Sequence, residues 1–360
     1  MSLLKNLFKS KNEPMQTYGQ FWDWFKNNER NFYHVVKVNG DIQHMFFDKL
    51  GPKLKELKEG IYFLTGMYDK ETVELILTPD GYIKNIFFVE ELVKAAPQIE
   101  GWKFTALKPA SATNIEMAGY KFTTDNISFY SNDHAGAPDQ IDLSIIHHDL
   151  NEKNRETIIK GVYIFLDNFL GELNFVSTID HLNIIGKADA VKELVPIGKL
   201  KDFLTWREKE FVEKYEATRH DTENDNYALL QAELENGHVL IATINTALLN
   251  WENKASHPWI ASIEIKYDGS GNNGMPDRET SALMHTIEEE IMEHLKDADG
   301  YLNVGHQTAE GLREIYFTCK EFRKPSKVLD QIQKKYNPMI SLDYDIYKDK
   351  YWKSFDRFKG

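Results

Sequence analysis

Histidines and carboxylates offer the first chemistry this chain could do. His147, His148 and Asp149 are consecutive, and Glu172 follows further along. One common hydrolase arrangement uses an imidazole base and a carboxylate that orients it. Brought together from distant positions in the chain, His147, His148 and Glu172 would line a cleft between two domains. A hydrolase, or a small-ligand site in that cleft, is therefore the alternative reading of the chain. His285, Glu289 and Glu293 recur every four residues, so one helical face could offer all three to a metal. They lack the His-Glu-x-x-His pattern, and Glu288, Glu289 and Glu290 read better as a solvated acidic face, so no metal is expected.

The loop Asp268 to Gly274 has glycines that free backbone N–H groups ahead of a helix, as a phosphate cradle does. No Lys-Ser/Thr follows it, the G-x-G-x-x-G spacing is absent, and Asp268 and Asp277 would repel phosphate. It reads as a strand-to-helix connection, and no cofactor is expected. Cys319, the single cysteine, would need a base such as His306 to act as a nucleophile. It alternates with Ile315 and Phe317 on one strand face, the pattern of a buried structural thiol. Trp251, Trp259, Tyr351 and Trp352 supply the large anchoring area of a recognition surface, and core packing accounts for them equally well. No G-x-S-x-G, paired C-x-x-C, kinase set or zinc-hydrolase motif is present, which leans the reading away from an enzyme.

Charge narrows the partners. Against 43 basic residues stand 56 acidic ones, a formal net charge of -13, and no long Lys/Arg run concentrates the positive charge. General nucleic-acid binding is disfavoured, and a basic protein partner is favoured. One cysteine excludes an intramolecular disulfide framework and fits a reducing compartment, with the cytoplasm as the default. No stretch approaches membrane-spanning length. Near the N-terminus, Leu3, Leu4, Leu7 and Phe8 share a helical face opposed by lysines, which reads as an ordinary leader helix or a frayed end.

The elements that would position these groups form an α+β pattern, antiparallel sheets with helices packed on one face. At 360 residues the chain exceeds what one core usually serves. An N-terminal α+β domain is expected over 15–216, with an internal break near 109–119, and a C-terminal domain over 227–358. In the first, aromatic-rich helical sequence around Phe21, Phe25 and Phe32 leads to a second helix that Gly51-Pro52 should interrupt. A helix over 86–96, strands near 61–68, 73–79, 102–107, 120–124, 127–130 and 141–147, and a buried helix with the stripe Ile158, Val162, Phe165, Leu166 and Phe169 follow. Leu173 to Ile185 reads as strand-like and Leu200 to Tyr215 as helical. The polar run 218–226 marks the boundary. Residues 239–358 then read ββαββαβ, a ferredoxin-like layering.

Those two opening strands, NNGMPDRET ahead of the helix, EGLREIYF in the hairpin and the closing strand before an aromatic tail resemble the bacterial domain of unknown function 695 family. AAPQIEGWKFTALKP and LDNFLGE similarly resemble the N-terminal region that accompanies such domains. The family brings no established reaction or catalytic residue. Its domains are similar to the regulator of ribonuclease E activity B, an acidic ferredoxin-like protein that binds a nuclease. The resemblance therefore implies a macromolecule-binding or regulatory, inhibitor-like protein.

Overall fold

The computed structural model describes residues 16–111 and 114–359. The N-terminal face of Leu3, Leu4, Leu7 and Phe8, and part of the break at 109–113, lie outside the described residues. The chain divides into two compact units, one running to Pro109 and the other from Ala110. The polar run 218–226 lies inside the second unit, and the division falls in the 109–119 break.

The first unit opens with α1 (Tyr18–Lys37), started by a capping box in which Thr17 and Gln20 satisfy each other's backbone N–H groups. Phe21, Phe25 and Phe32 are fully buried, as their spacing predicts. A wide turn over Gln43–Phe47 precedes α2 (Asp48–Leu57), which keeps Pro52 inside it. The interruption expected at Gly51-Pro52 therefore falls one turn earlier, in the turn that proline's ring and missing N–H disturb. Then come β1 (Tyr62–Met67), β2 (Val73–Thr78), α3 (Ile83–Lys94) and β3 (Trp102–Ala106). β1 is antiparallel to β2, whereas β3 returns through α3 and lies parallel to it.

The second unit begins with the hairpin β4 (Ile115–Met117) and β5 (Tyr120–Phe122). β6 (Ile127–Asn132), β7 (Asp142–His147), α4 (Arg155–Leu170), α5 (Glu172–Thr178), β8 (His181–Gly186), β9 (Val195–Pro196) and α6 (Leu200–Tyr215) follow. The strand order is β8-β7-β6-β9, and β7 and β8 are parallel because α4 and α5 carry the chain across. The three-stranded and four-stranded sheets thus each contain a parallel pair, which departs from a purely antiparallel expectation. The start of the Leu173 to Ile185 run is helical, with Phe175 N–H donating to Gly171 O.

The α4 stripe of Ile158, Val162, Phe165, Leu166 and Leu170 packs on Ile127, Leu143, Ile145 and Ile184 of the sheet. Gly161 lies where α4 meets β5, and a Cβ there would fall far inside contact distance of the Phe122 ring. Glycine to alanine in a helix interior ordinarily gains about 1 kcal/mol. Gly161→Ala is expected instead to lose ~1–3 kcal/mol by overpacking, and Phe122→Leu in the same chain to restore part of it, read from urea unfolding midpoints.

The remainder is a larger sheet: β10 (Tyr227–Glu233), β11 (Val239–Asn245), α7 (Thr246–Leu249), β12 (Trp259–Lys266), α8 (Arg278–His294), β13 (Tyr301–Ala309), β14 (Leu312–Cys319), α9 (Arg323–Tyr336) and β15 (Ser341–Lys348). Its six strands run in the order β10-β11-β13-β14-β12-β15, every neighbour antiparallel. α8 and α9 bury Ile287, Ile291, Leu329 and Ile332. On the opposite face Trp352, Phe355 and Phe358 of the C-terminal tail join Ile260, Leu302, Val304 and Tyr316 in a separate core.

A charged seam ties this sheet to the preceding one within the second unit. Asp180, just before β8, pairs with Lys348 Nζ at 2.6 Å and Lys350 Nζ at 2.7 Å, and its Oδ2 also accepts from Ile141 N–H. Asp139 accepts from Tyr215 Oη at 2.7 Å and Tyr351 Oη at 2.9 Å and pairs with Lys214.

Candidate functional site

The aromatic residues proposed as a recognition surface are largely spent inside the fold. Trp352 is fully buried, and its Nε1–H donates to His257 O at 2.9 Å. Trp259 is buried edge-on against Phe322 at 4.8 Å. Trp251 is half-buried between His257 and Trp352, and Tyr351 gives its hydroxyl to Asp139 in the seam. Their expected exposure is thus corrected: sequence shows that these rings need large apolar contacts, but not that the tail folds back over the sheet to supply them.

The polar cluster does not assemble either. His147 is fully buried. Its Nε2 lies 2.9 Å from Lys121 O, which fits donation, and its Nδ1 accepts from Asp149 N–H at 3.2 Å. Burial lowers its pKa, so the ring is neutral with both nitrogens engaged. His148 is exposed, and Glu172 is buried at the first turn of α5. Neither imidazole pairs with Glu172. His257, beside Ser256 Oγ at 2.8 Å, has the look of a nucleophile and base, yet both are buried and desolvation drives the imidazole pKa down to about 3.

The other sequence candidates resolve in the same direction. In the glycine loop, the N–H groups of Ser270, Asn272, Gly274 and Met275 are bonded within the loop, and Asp277 caps α8 by accepting from Thr280 N–H at 2.8 Å. An anion would find that helix end occupied. His285 and Glu289 form an exposed pair, and among the described residues no three metal-ligating side chains gather. Cys319 is buried, and desolvation raises its thiol pKa well above the usual value.

What sequence reading missed lies on the helix side of β10, β11 and β13. Glu288, expected on a solvated acidic face, is buried against the sheet. Asn303 Nδ2 donates to its Oε1 at 3.0 Å, and His306 Nδ1 approaches Oε2 at 2.8 Å. Burial works to raise the Glu288 pKa, but these two partners and nearby Arg313 outweigh it and hold the carboxylate below its ordinary range. Beside this pair opens a cavity of about 340 Å³ lined by buried Leu248 and Leu295, by half-exposed Met292 at its mouth, and by Asp225, Tyr227 and Asp297. Its volume is within the ~300–1,000 Å³ span of ligand pockets. His220 Nε2 meets Asp225 Oδ1 at 2.7 Å, and Thr222 Oγ1 donates to Asp297 Oδ2 at 2.7 Å. The Thr222 bond is the main cause of a lowered Asp297 pKa.

The cavity adjoins an open sheet edge. Among the described residues β10 pairs only with β11. Thr246 N–H donates to Asn226 O and Leu234 N–H to His238 O. On the two-residue repeat of an antiparallel ladder, Ala228, Leu230 and Ala232 therefore face β11, while Tyr227, Leu229, Gln231 and Glu233 turn their N–H and C=O groups outward. Leu229 is 74% exposed and Tyr227 50%. The hairpin signal was present in the Asn236-Gly237 dipeptide, which favours a tight turn between paired strands.

Residues 229–358 match the model of a family described as Family of unknown function (DUF695), so the match covers the C-terminal third and encloses nearly all of the larger sheet. No curated protein and no solved structure matches the chain significantly. Among the described residues no helix is long and apolar enough to cross a membrane.

Proposed function

We propose that the protein is a cytoplasmic binding protein, regulatory rather than catalytic, whose domain at 227–358 captures an extended segment of a partner protein as an added strand on β10. The observation that carries this reading is the edge itself. Natural edge strands are guarded by lysine, proline, bulges or charges that resist pairing. β15, at the other end of the sheet, exposes Asp343 and Asp345. β10 reads Tyr-Ala-Leu-Leu-Gln-Ala-Glu, with exposed leucine and tyrosine and one charge at its end. Main-chain bonds to such an edge supply affinity, and alternate side chains supply selection.

The order β12-α8-β13-β14-α9-β15, with strands arranged β13-β14-β12-β15, supports a ferredoxin-like core to which β10 and β11 are added as a hairpin. The net charge of -13 supports a basic partner.

The test uses the outward N–H of Leu229. Proline there removes one edge donor and leaves the bonds from Ala228 and Leu230 to β11 in place. Panning the full chain against a displayed random-heptapeptide library should enrich extended sequences with wild type and with Leu229→Thr, but not with Leu229→Pro. All three should melt within a few degrees of one another. Enrichment of the same peptides by a folded Leu229→Pro chain would overturn strand addition.

A further inference from the structure

We infer that the cavity beside β10 receives the cationic end of an arginine or lysine side chain carried by the added strand. This inference rests on the strand-addition reading and names the chemistry of the partner.

The geometry is set by alternation. Leu230 packs toward the core under the C-terminal tail, so Tyr227, Leu229 and Gln231 face the α8 side, where the cavity lies. Every second side chain of a strand laid along β10 would share that side, and one near Tyr227 would reach the cavity mouth. What it would meet is a hydrocarbon floor with carboxylates at the rim. Leu248, Met292 and Leu295 suit the methylene stem of a long basic side chain, and Asp225 and Asp297 suit its charged head. Lys296 also lines the cavity and offsets one carboxylate, leaving the lining acidic by one charge. Behind the lining, Glu288 adds its own negative potential.

Asn245, fully buried opposite Tyr227 in the ladder, accepts from Leu248 N–H through its Oδ1 and interacts with the Tyr227 side chain, so it holds two lining residues in place before any ligand arrives.

The experiment takes peptides enriched by the wild-type chain and measures their affinity by fluorescence anisotropy. A basic residue is expected at one constant position, and replacing it with citrulline or norleucine should weaken binding about tenfold. Asp225→Asn with Asp297→Asn should bind the basic peptide about as weakly as wild type binds its neutral counterpart, and should no longer distinguish the two. Met292→Lys places a cation at the half-exposed cavity mouth without disturbing the acidic pair. It should weaken the basic peptide about tenfold more than the neutral one, since both forms lose the Met292 contact but only the basic form meets the added charge. Enriched peptides with no constant basic position, or equal affinity for basic and neutral forms, would overturn this inference while strand addition stood. Loss of Leu229→Pro sensitivity would instead remove strand addition and the inference together.

Discussion

Asp180→Asn is expected to cost the protein ~3 kcal/mol of folding stability at neutral pH, because it leaves two buried ammonium groups without their counter-ion. Asp180 and Lys350 side chains are each 5% exposed, and Lys348 is 13% exposed. Thr178 O and Asp139 O accept from Lys348 and Lys350 respectively, which solvates the cations but does not neutralise them. Burial lowers the Lys348 pKa to about 8, even with Asp180 pulling it upward. Without that carboxylate it should fall further. A lysine depressed in the folded state makes stability rise with pH between its folded and unfolded pKa values, since the unfolded chain there binds the extra proton. In Asp180→Asn this rise begins at lower pH than in wild type, so the deficit between the two proteins should be larger at pH 6 than at pH 8.5. Asp180 itself has a lowered pKa, because Lys348 and Lys350 overcome the opposing effect of burial. Its contribution is present above the ordinary carboxylate pKa and is lost as pH falls through the folded value, so the deficit should also narrow in acid. Urea unfolding across this range reads both limbs. A deficit independent of pH would show that the seam is held by shape and not by charge.

How much of this could be read in advance depends on the distance over which each feature is decided. The α4 stripe was legible because Ile158, Val162, Phe165 and Leu166 report a single face at helical period, and that face is buried as expected. The helices and strands after Trp259 were legible for the same reason. The seam was not, because Asp180 meets Lys350 across 170 residues and no local pattern marks either residue. Trp352 looked like a surface anchor among charged neighbours, and its burial depends on the tail reaching the sheet face opposite α8 and α9. β10 was missed as a strand because an edge strand with both faces partly open lacks clean alternation: its burial runs exposed at Tyr227, Leu229 and Gln231 with only half-buried residues between. The feature that hid β10 from pattern reading is the one that makes it available to a partner. The candidate catalytic groups failed for a related reason, since residue type says what a side chain can do and tertiary packing decides whether its partner is within reach.

Gly305→Ala is expected to destabilise the chain by at least ~3 kcal/mol and to loosen the β10–β11 hairpin together with the cavity. Asn303 and His306 are three residues apart, and on a regular strand side chains at that spacing point to opposite faces. Both nevertheless reach Glu288, because β13 carries a bulge between Asn303 and Gly305 that inserts Val304 and resets the alternation. Gly305 makes the bulge possible with φ 122, a conformation open to glycine and strained for alanine. An alanine Cβ would also collide with Thr243 O, a backbone atom of β11 that cannot rotate away. The collision falls on the β11–β13 ladder, whose described register runs only from Ile241 to Ile244. Relief must come from parting those strands. Hydrogen exchange in Gly305→Ala should therefore accelerate over 227–245 more than in β12 or β15, which pair with each other away from the bulge. A uniform loss of protection would mean that the hairpin and the rest of the sheet unfold as one unit. Where the hairpin does loosen, peptides selected on β10 should lose affinity under conditions in which the rest of the domain remains folded, because the edge and the cavity both depend on the same bulge.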